Sequence, residues 1–127
     1  MAYKKSLPLL VKVKSTEFIT PNLRRIIFSS ERLATFPDQT AALHIKAFIP
    51  KEGQEKPVLP EISTEGRPVW PSPDIKPYIR AYSVSYFNKE KLEIGVDFVM
   101  HKKGPASQWA AKAKVGDYFG LSRPGGP

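Results

Sequence analysis

The chain contains no cysteine. Neither a disulfide framework nor cysteine ligation of an iron–sulfur cluster is therefore open to it. Its two histidines, His44 and His101, stand far apart in sequence, which argues against a metal cluster. No run of 18 apolar residues occurs, so no membrane-spanning helix is expected. The opening stretch from Met1 to Leu10 holds two lysines but neither a long apolar segment nor a small-residue cleavage site. Together these absences give a cytoplasmic address as the expectation.

What is present is a 127-residue chain with 41% hydrophobic residues and a formal net charge of +8. That length suits one domain, burying roughly two-thirds of its unfolded surface. Residues 50–77 are slightly acidic, with four basic and five acidic side chains, so the basic excess lies in the rest of the chain. It is spread along the sequence, from Lys4 and Lys5 through Lys12, Lys14, Arg24, Arg25, Lys46 and Arg80 to Lys102, Lys103, Lys112 and Lys114. Such a surface attracts an anion, whether phosphate, nucleic acid or an anionic iron chelate, and charge alone does not choose among them.

Hydrophobic residues recur mostly with period two, the signature of strands. Strands are expected over 9–19, 23–28, 44–49, 80–87, 92–100 and 118–122. The first pair is joined by Thr20-Pro21-Asn22, and the fourth and fifth by Asn88-Lys89-Glu90, so both should be hairpins. In the fifth, Leu92, Ile94, Val96, Phe98 and Met100 share one face. One helix is expected over 105–113, with Pro105 at its first position and Val115-Gly116-Asp117 as the turn after it. The expected fold is all-β: a six-stranded antiparallel Greek-key barrel with one short helix before the last strand.

Between strands three and four, residues 50–77 hold seven of the thirteen prolines and show no regular periodicity. A loop this long inside a small domain is unusual. The prolines restrict it, and Trp70 is the natural anchor for a partly ordered excursion over the barrel.

Two segments carry the chemistry. In Arg80-Ala81-Tyr82-Ser83 strand alternation puts Arg80 and Tyr82 on one face and Ser83 on the other. An arginine can pair with phosphate while the neighbouring ring lies against a flat ligand. In Gly104-Pro105-Ala106-Ser107 a helix begins, offering unpaired amides and partial positive charge to an anion. Gly104 permits close backbone approach, the Ser107 hydroxyl adds a donor, and Lys102 and Lys103 precede it. Taken singly, each has a plain structural explanation: a surface arginine beside a half-buried ring, and a capped helix.

Together these segments resemble the ferredoxin reductase superfamily, through its Arg-x-Tyr-(Ser/Thr) and Gly-x-x-Ser motifs. The run from Asp97-Phe98-Val99-Met100-His101 through Gly104-Pro105-Ala106-Ser107-Gln108-Trp109-Ala110 resembles the siderophore-interacting branch specifically. His44-Ile45-Lys46, Arg67-Pro68-Val69-Trp70-Pro71, Gly116-Asp117 and Pro124-Gly125-Gly126 follow the same pattern, so the resemblance runs from about Val11 to the end.

The resemblance implies an FAD-binding domain over 1–123, with 124–127 beginning a linker to an NAD(P)H-binding domain that this sequence does not contain. It implies that Arg80 pairs with the FAD pyrophosphate and that Tyr82 lies against the isoalloxazine or ribityl chain. Ser83 would bond near the redox-active flavin nitrogen, if the strand twists enough. The backbone of Asp97, Phe98 and Val99 and the side chain of His101 would line the site, and Gly104, Pro105, Ala106 and Ser107 would hold the pyrophosphate. Ala81 lies within the first motif. The whole enzyme would pass electrons from NAD(P)H or another donor through FAD to a ferric siderophore, releasing iron.

Three positions depart from the branch. Ser85 stands where a second arginine is common, Met100 replaces leucine at similar volume, and Lys102-Lys103 occupies a spacer that is often more acidic. Among single residues, His44 reads as structural, His101 as cofactor-facing and Trp109 as a core anchor. The Asp97 side chain has two readings, fixing a neighbouring amide or accepting from the flavin. Two other functions fit the composition: a basic barrel that binds nucleic acid, and a siderophore-binding module without catalysis. Against the first, lysines and aromatic residues do not cluster on one expected face, so no nucleic-acid partner is expected.

Overall fold

In the computed structural model, which describes residues 8–100 and 104–124, alternation becomes a closed barrel. Its wall is built from β1 (Leu9–Thr20), β2 (Leu23–Ser29), β3 (His44–Ile49), β6 (Tyr78–Asn88), β7 (Glu93–Val99) and β8 (Tyr118–Leu121). Two short strands inside the long excursion, β4 (Glu61–Ile62) and β5 (Pro68–Val69), pair only with each other. Helix α1 (Pro105–Lys112) lies between β7 and β8. The order around the barrel is β1-β2-β7-β6-β3-β8, antiparallel throughout. Strands β3, β6 and β7 lie side by side in chain order, and β8 returns past α1 to pair with β3, the Greek-key connection. Among the described residues no helix is long and apolar enough to cross a membrane.

The inward residues fill the barrel. Phe28, Phe98 and Phe119 are fully buried with Ile26, Ile45, Ile94, Val96 and Leu121. Phe28 and Phe119 stack at 4.7 Å, and Trp109 of α1 lies 4.6 Å from Phe119, so the helix closes over the aromatic cluster as a core anchor. A 3-10 turn at Glu31–Thr35 adds Leu33, and Phe36 follows it against Phe87. Neighbouring faces of these rings contribute beyond simple area burial.

Bulges curve the wall. In β6, Val84 faces Val96 and Tyr86 faces Gly95, so Ser85 is an extra residue. In β1 the extra residues are Lys14 and Ile19. Lys14 bonds Glu93 of β7, whose other carboxylate oxygen accepts from the Tyr86 hydroxyl at 3.1 Å. The Lys14 and Tyr86 bonds hold the Glu93 carboxyl below its usual range, against the opposing effect of burial.

The excursion is anchored at a few points. Pro50, Pro57, Pro60 and Pro77 are buried. Trp70 donates its indole N–H to the Val58 carbonyl at 2.6 Å and packs 6.4 Å from Phe48 of β3. Gly120 of β8 admits it closely: a Cβ there would sit 2.8 Å from a Leu59 methyl and 2.9 Å from the Phe48 Cβ.

Candidate cofactor site

Strand β6 enters the barrel with Tyr78, Arg80 and Tyr82 on one face, opposite Ile49, Ala47 and Ile45 of β3. Those β3 residues are buried, so this is the inward face, continued by Val84. Tyr82 is half-buried and tilted 5.0 Å from Phe98, which supports it from within. Burial pushes the Tyr82 phenol up, and Arg80 opposes that shift. Tyr82 thus keeps its proton at neutral pH. Arg80 is exposed, its guanidinium donating to the Ile79 carbonyl at 2.8 Å. Ala81 and Ser83 take the outward face, where the Ser83 hydroxyl meets His44 Nδ1 at 3.3 Å. The face assignments therefore match the alternation in the sequence, and His44 has a structural partner.

The second motif begins beyond β7. Gly104 has φ of +106°, a conformation that other residues adopt only under strain, and among the described residues outside its chain neighbours no atom lies within 4 Å of where its Cβ would be. A bond inside the helix runs from the Gln108 amide to the Gly104 carbonyl at 3.1 Å. Ser107 is buried, and its hydroxyl donates to the Val99 carbonyl at 3.1 Å. That bond ties the helix start to β7. The far end of α1 is fixed by Arg24, which donates to the Ala110 carbonyl, to the Ala113 carbonyl at 3.2 Å and to the Thr16 hydroxyl at 3.0 Å. A guanidinium on the last carbonyls satisfies those acceptors and suits the helix dipole.

Beside this helix start runs a groove of 860 Å³. Gly104, Pro105, Gln108 and Trp109 form one side, residues 50–55 another, and Tyr78 and Tyr118 are also in its lining. Lys51 reaches over the Tyr78 ring at 5.9 Å. A flat dinucleotide needs an anion cradle, room beside it and an aromatic surface. The positive-φ Gly104, the open groove and, on the strand that supplies Tyr78 to it, the exposed Arg80 and half-buried Tyr82 meet that requirement, so the residues present fit FAD.

Asp97, Phe98 and Val99 divide three ways. Phe98 is core. Val99 is 50% exposed at the strand end. The Asp97 carboxylate faces outward and is gripped by Arg25, Nε to Oδ1 at 2.7 Å and Nη2 to Oδ2 at 3.0 Å, with the Ser85 hydroxyl donating to Oδ1 at 3.1 Å. The Arg25 hydrogen bonds hold the Asp97 carboxyl below the usual range, with burial opposing and Ser85 assisting. His101, Lys102 and Lys103 lie outside the described residues.

Reading the sequence missed Tyr78, Arg24 and Arg25. The signal for the two arginines was available: adjacent residues on a strand face opposite ways, so one of them had to point inward.

Residues 12–127 match the profile of the siderophore-interacting FAD-binding domain family. The ferric vibriobactin reductase ViuB of Vibrio cholerae serotype O1 is 36% identical over 121 residues, covering 94% of this chain and 44% of that protein. The NADPH-dependent ferric-chelate reductase of Escherichia coli K12 is 32% identical over 114 residues, covering 90% of this chain and 43% of that protein. Among solved structures, the siderophore-interacting protein SipS of Aeromonas hydrophila superposes with a TM-score of 0.75 at 36% identity, over 94% of this chain and 43% of SipS. The chain thus spans less than half the length of these relatives. With a match across nearly its whole length, the chain belongs to the siderophore-interacting FAD-binding domain family.

Proposed function

We propose that this chain is the FAD-holding part of a cytoplasmic reductase that delivers electrons from NAD(P)H to a ferric siderophore. One observation carries the reading: β6, the strand that bears the Arg80–Ser83 motif, and the start of α1 both contribute to the lining of one open groove, through Tyr78 and Gly104. Bound FAD supplies the conversion between a two-electron nicotinamide donor and one-electron ferric iron. Reduction loosens a hard-oxygen chelate and frees the metal as ferrous iron.

The chain's own residues bind and orient. Arg80, exposed on β6, pairs with the pyrophosphate, and the positive end of α1 completes the cradle. Tyr82, backed by Phe98, offers its ring to the isoalloxazine or ribityl chain. Ser83 donates near the redox-active nitrogen if β6 twists enough to bring its outward face there, while the backbone of Asp97 to Val99 lines the site. Residues 124–127 lead toward a nucleotide-binding domain that holds the nicotinamide.

A visible absorption spectrum after addition of FAD and removal of the excess tests this. The expected result is a flavin spectrum that stays with the protein and weakens in Arg80→Ala. A folded, colourless protein that instead binds oligonucleotides with a steep salt dependence would sink it.

A further inference from the structure

The bulge at Ser85 joins two stretches of β6 that are out of phase, one of which carries Arg80, Tyr82 and Ser83. Beyond it, Phe87 pairs with Ile94 and points inward, and before it Val84 pairs with Val96 and also points inward. In a strand of strict period two, residues three apart cannot share a face. The extra residue resets the phase. The register with β3 puts Tyr82 and Arg80 on the inward side and Ser83 on the outward side. Without the bulge, that phase could not be kept together with an inward Phe87, and either 80–84 or 86–88 would have to invert.

The bulge is held in place by side chains. The Ser85 hydroxyl donates to Asp97 Oδ1 at 3.1 Å, and Arg25 holds both oxygens of that carboxylate at 2.7 and 3.0 Å. Arg25 stands directly opposite Asp97 in the β2–β7 register, with Glu17 opposite it on β1. The carboxylate is 22% exposed and the guanidinium 35%, so the pair is shielded in part. A bidentate arginine has a fixed geometry that a point charge lacks.

We propose that Arg25, acting through Asp97 and Ser85, is a positioning residue that pins the β6 bulge and so fixes which face of the strand Arg80, Tyr82 and Ser83 present. It touches no cofactor. Its effect is on the phase of the motif, and its consequence for FAD binding rests on the function proposed above.

The lack of native cysteine makes a direct test possible. Single thiols are placed by Ser83→Cys and Val84→Cys, at an exposed and a 2% exposed position, and their maleimide labelling rates are compared. In the parent the first labels fast and the second is protected. Arg25→Met or Asp97→Asn should raise labelling at position 84 about tenfold relative to position 83, the size expected when charge-assisted hydrogen bonds to a partly shielded carboxylate are lost. Arg25→Lys should restore only part of the protection. Ser85→Ala keeps the ion pair and the backbone, and decides the matter if Arg25→Met fails to fold. An unchanged labelling ratio in Ser85→Ala and Asp97→Asn overturns the proposal.

A titration with FAD, followed by flavin circular dichroism, reads the consequence. The expected outcome is affinity weakened about tenfold or more, with an altered dichroic band, because small misplacements of positioning groups have large effects. Variants that label as predicted yet bind FAD like the parent would overturn the link to the cofactor. A parent that binds no FAD would sink the function proposed above and leave the labelling result standing on its own.

Discussion

In the barrel wall, Phe28, Phe98 and Phe119 are buried on all sides by six strands and one helix, and every strand pairs with two neighbours. The excursion from Pro50 to Pro77 has no such interior. Its only ladder is the two-residue pair β4–β5, and its order comes from buried prolines, one indole and one leucine resting on Gly120. The wall is stabilised by removing apolar area from water. The excursion gains from chain stiffness, since proline has less freedom to lose on folding. One therefore expects loss of a side chain to be felt throughout the wall but only locally in the excursion.

The strongest way to break that contrast is inside the wall. Phe119→Ala removes a fully buried ring that touches Phe28, Phe98 and Trp109. It should cost about 3–5 kcal/mol. Equilibrium urea unfolding measures this, and a loss below 1 kcal/mol would mean that the aromatic cluster does not hold the barrel together.

The joint between the two regions comes next. Gly120→Ala places a Cβ against both Leu59 and the rigid Phe48 Cβ. The leucine can move aside, the phenylalanine less so, and a loss of about 1–3 kcal/mol is expected from overpacking. Protease sensitivity within 50–77 should rise with it. A stable variant with unchanged digestion would show that Leu59 does not seat the excursion.

Within the excursion the effect should be small and local. Trp70→Phe keeps a ring beside Phe48 but loses the hydrogen bond to Val58. Amide exchange at Ser63 and Gly66, whose bonds lie in this segment, should quicken about fivefold, as for one hydrogen bond lost. Exchange in β2 and β7 should not change. Equal acceleration in both regions would mean that excursion and wall unfold together.

The same contrast explains what could be read from the sequence. In β7, Ile94, Val96 and Phe98 alternate so regularly that strand, face and burial all follow from the pattern. Helix α1 was readable from Pro105 and its alanines, and both motifs fell on the expected elements. The bulge at Ser85 was not readable. Nothing in Val84-Ser85-Tyr86 departs from an ordinary strand, and the extra residue appears only when β7 supplies the register. Nor could the contacts of Asp97 with Arg25 and of Ser107 with Val99 be found, because neither follows from strand or helix periodicity. In the excursion, Trp70 was readable as an anchor, but Leu59 was not, since its seat is an absence of side chain on another strand.

The smallest effect concerns the outer face of the wall, where stability comes from charge. Arg25 holds the folded-state Asp97 carboxyl below its ordinary range, so the folded protein binds that proton less readily than the unfolded chain does. The contribution is then fully present above the unfolded value of about 3.9. It is lost as pH falls through the lower folded value, because protonation weakens the grip of Arg25. Asp97→Asn should therefore lower the melting temperature modestly at pH 7, and the gap to the parent should close as pH is taken below 4. Glu93, also held low by Lys14 and Tyr86, titrates in both proteins and largely cancels in the comparison. A gap that stays constant from pH 7 to pH 3 would mean that Asp97 acts through shape, not charge. A gap that widens at low pH would reverse the sign of the linkage and remove the electrostatic account of the clamp.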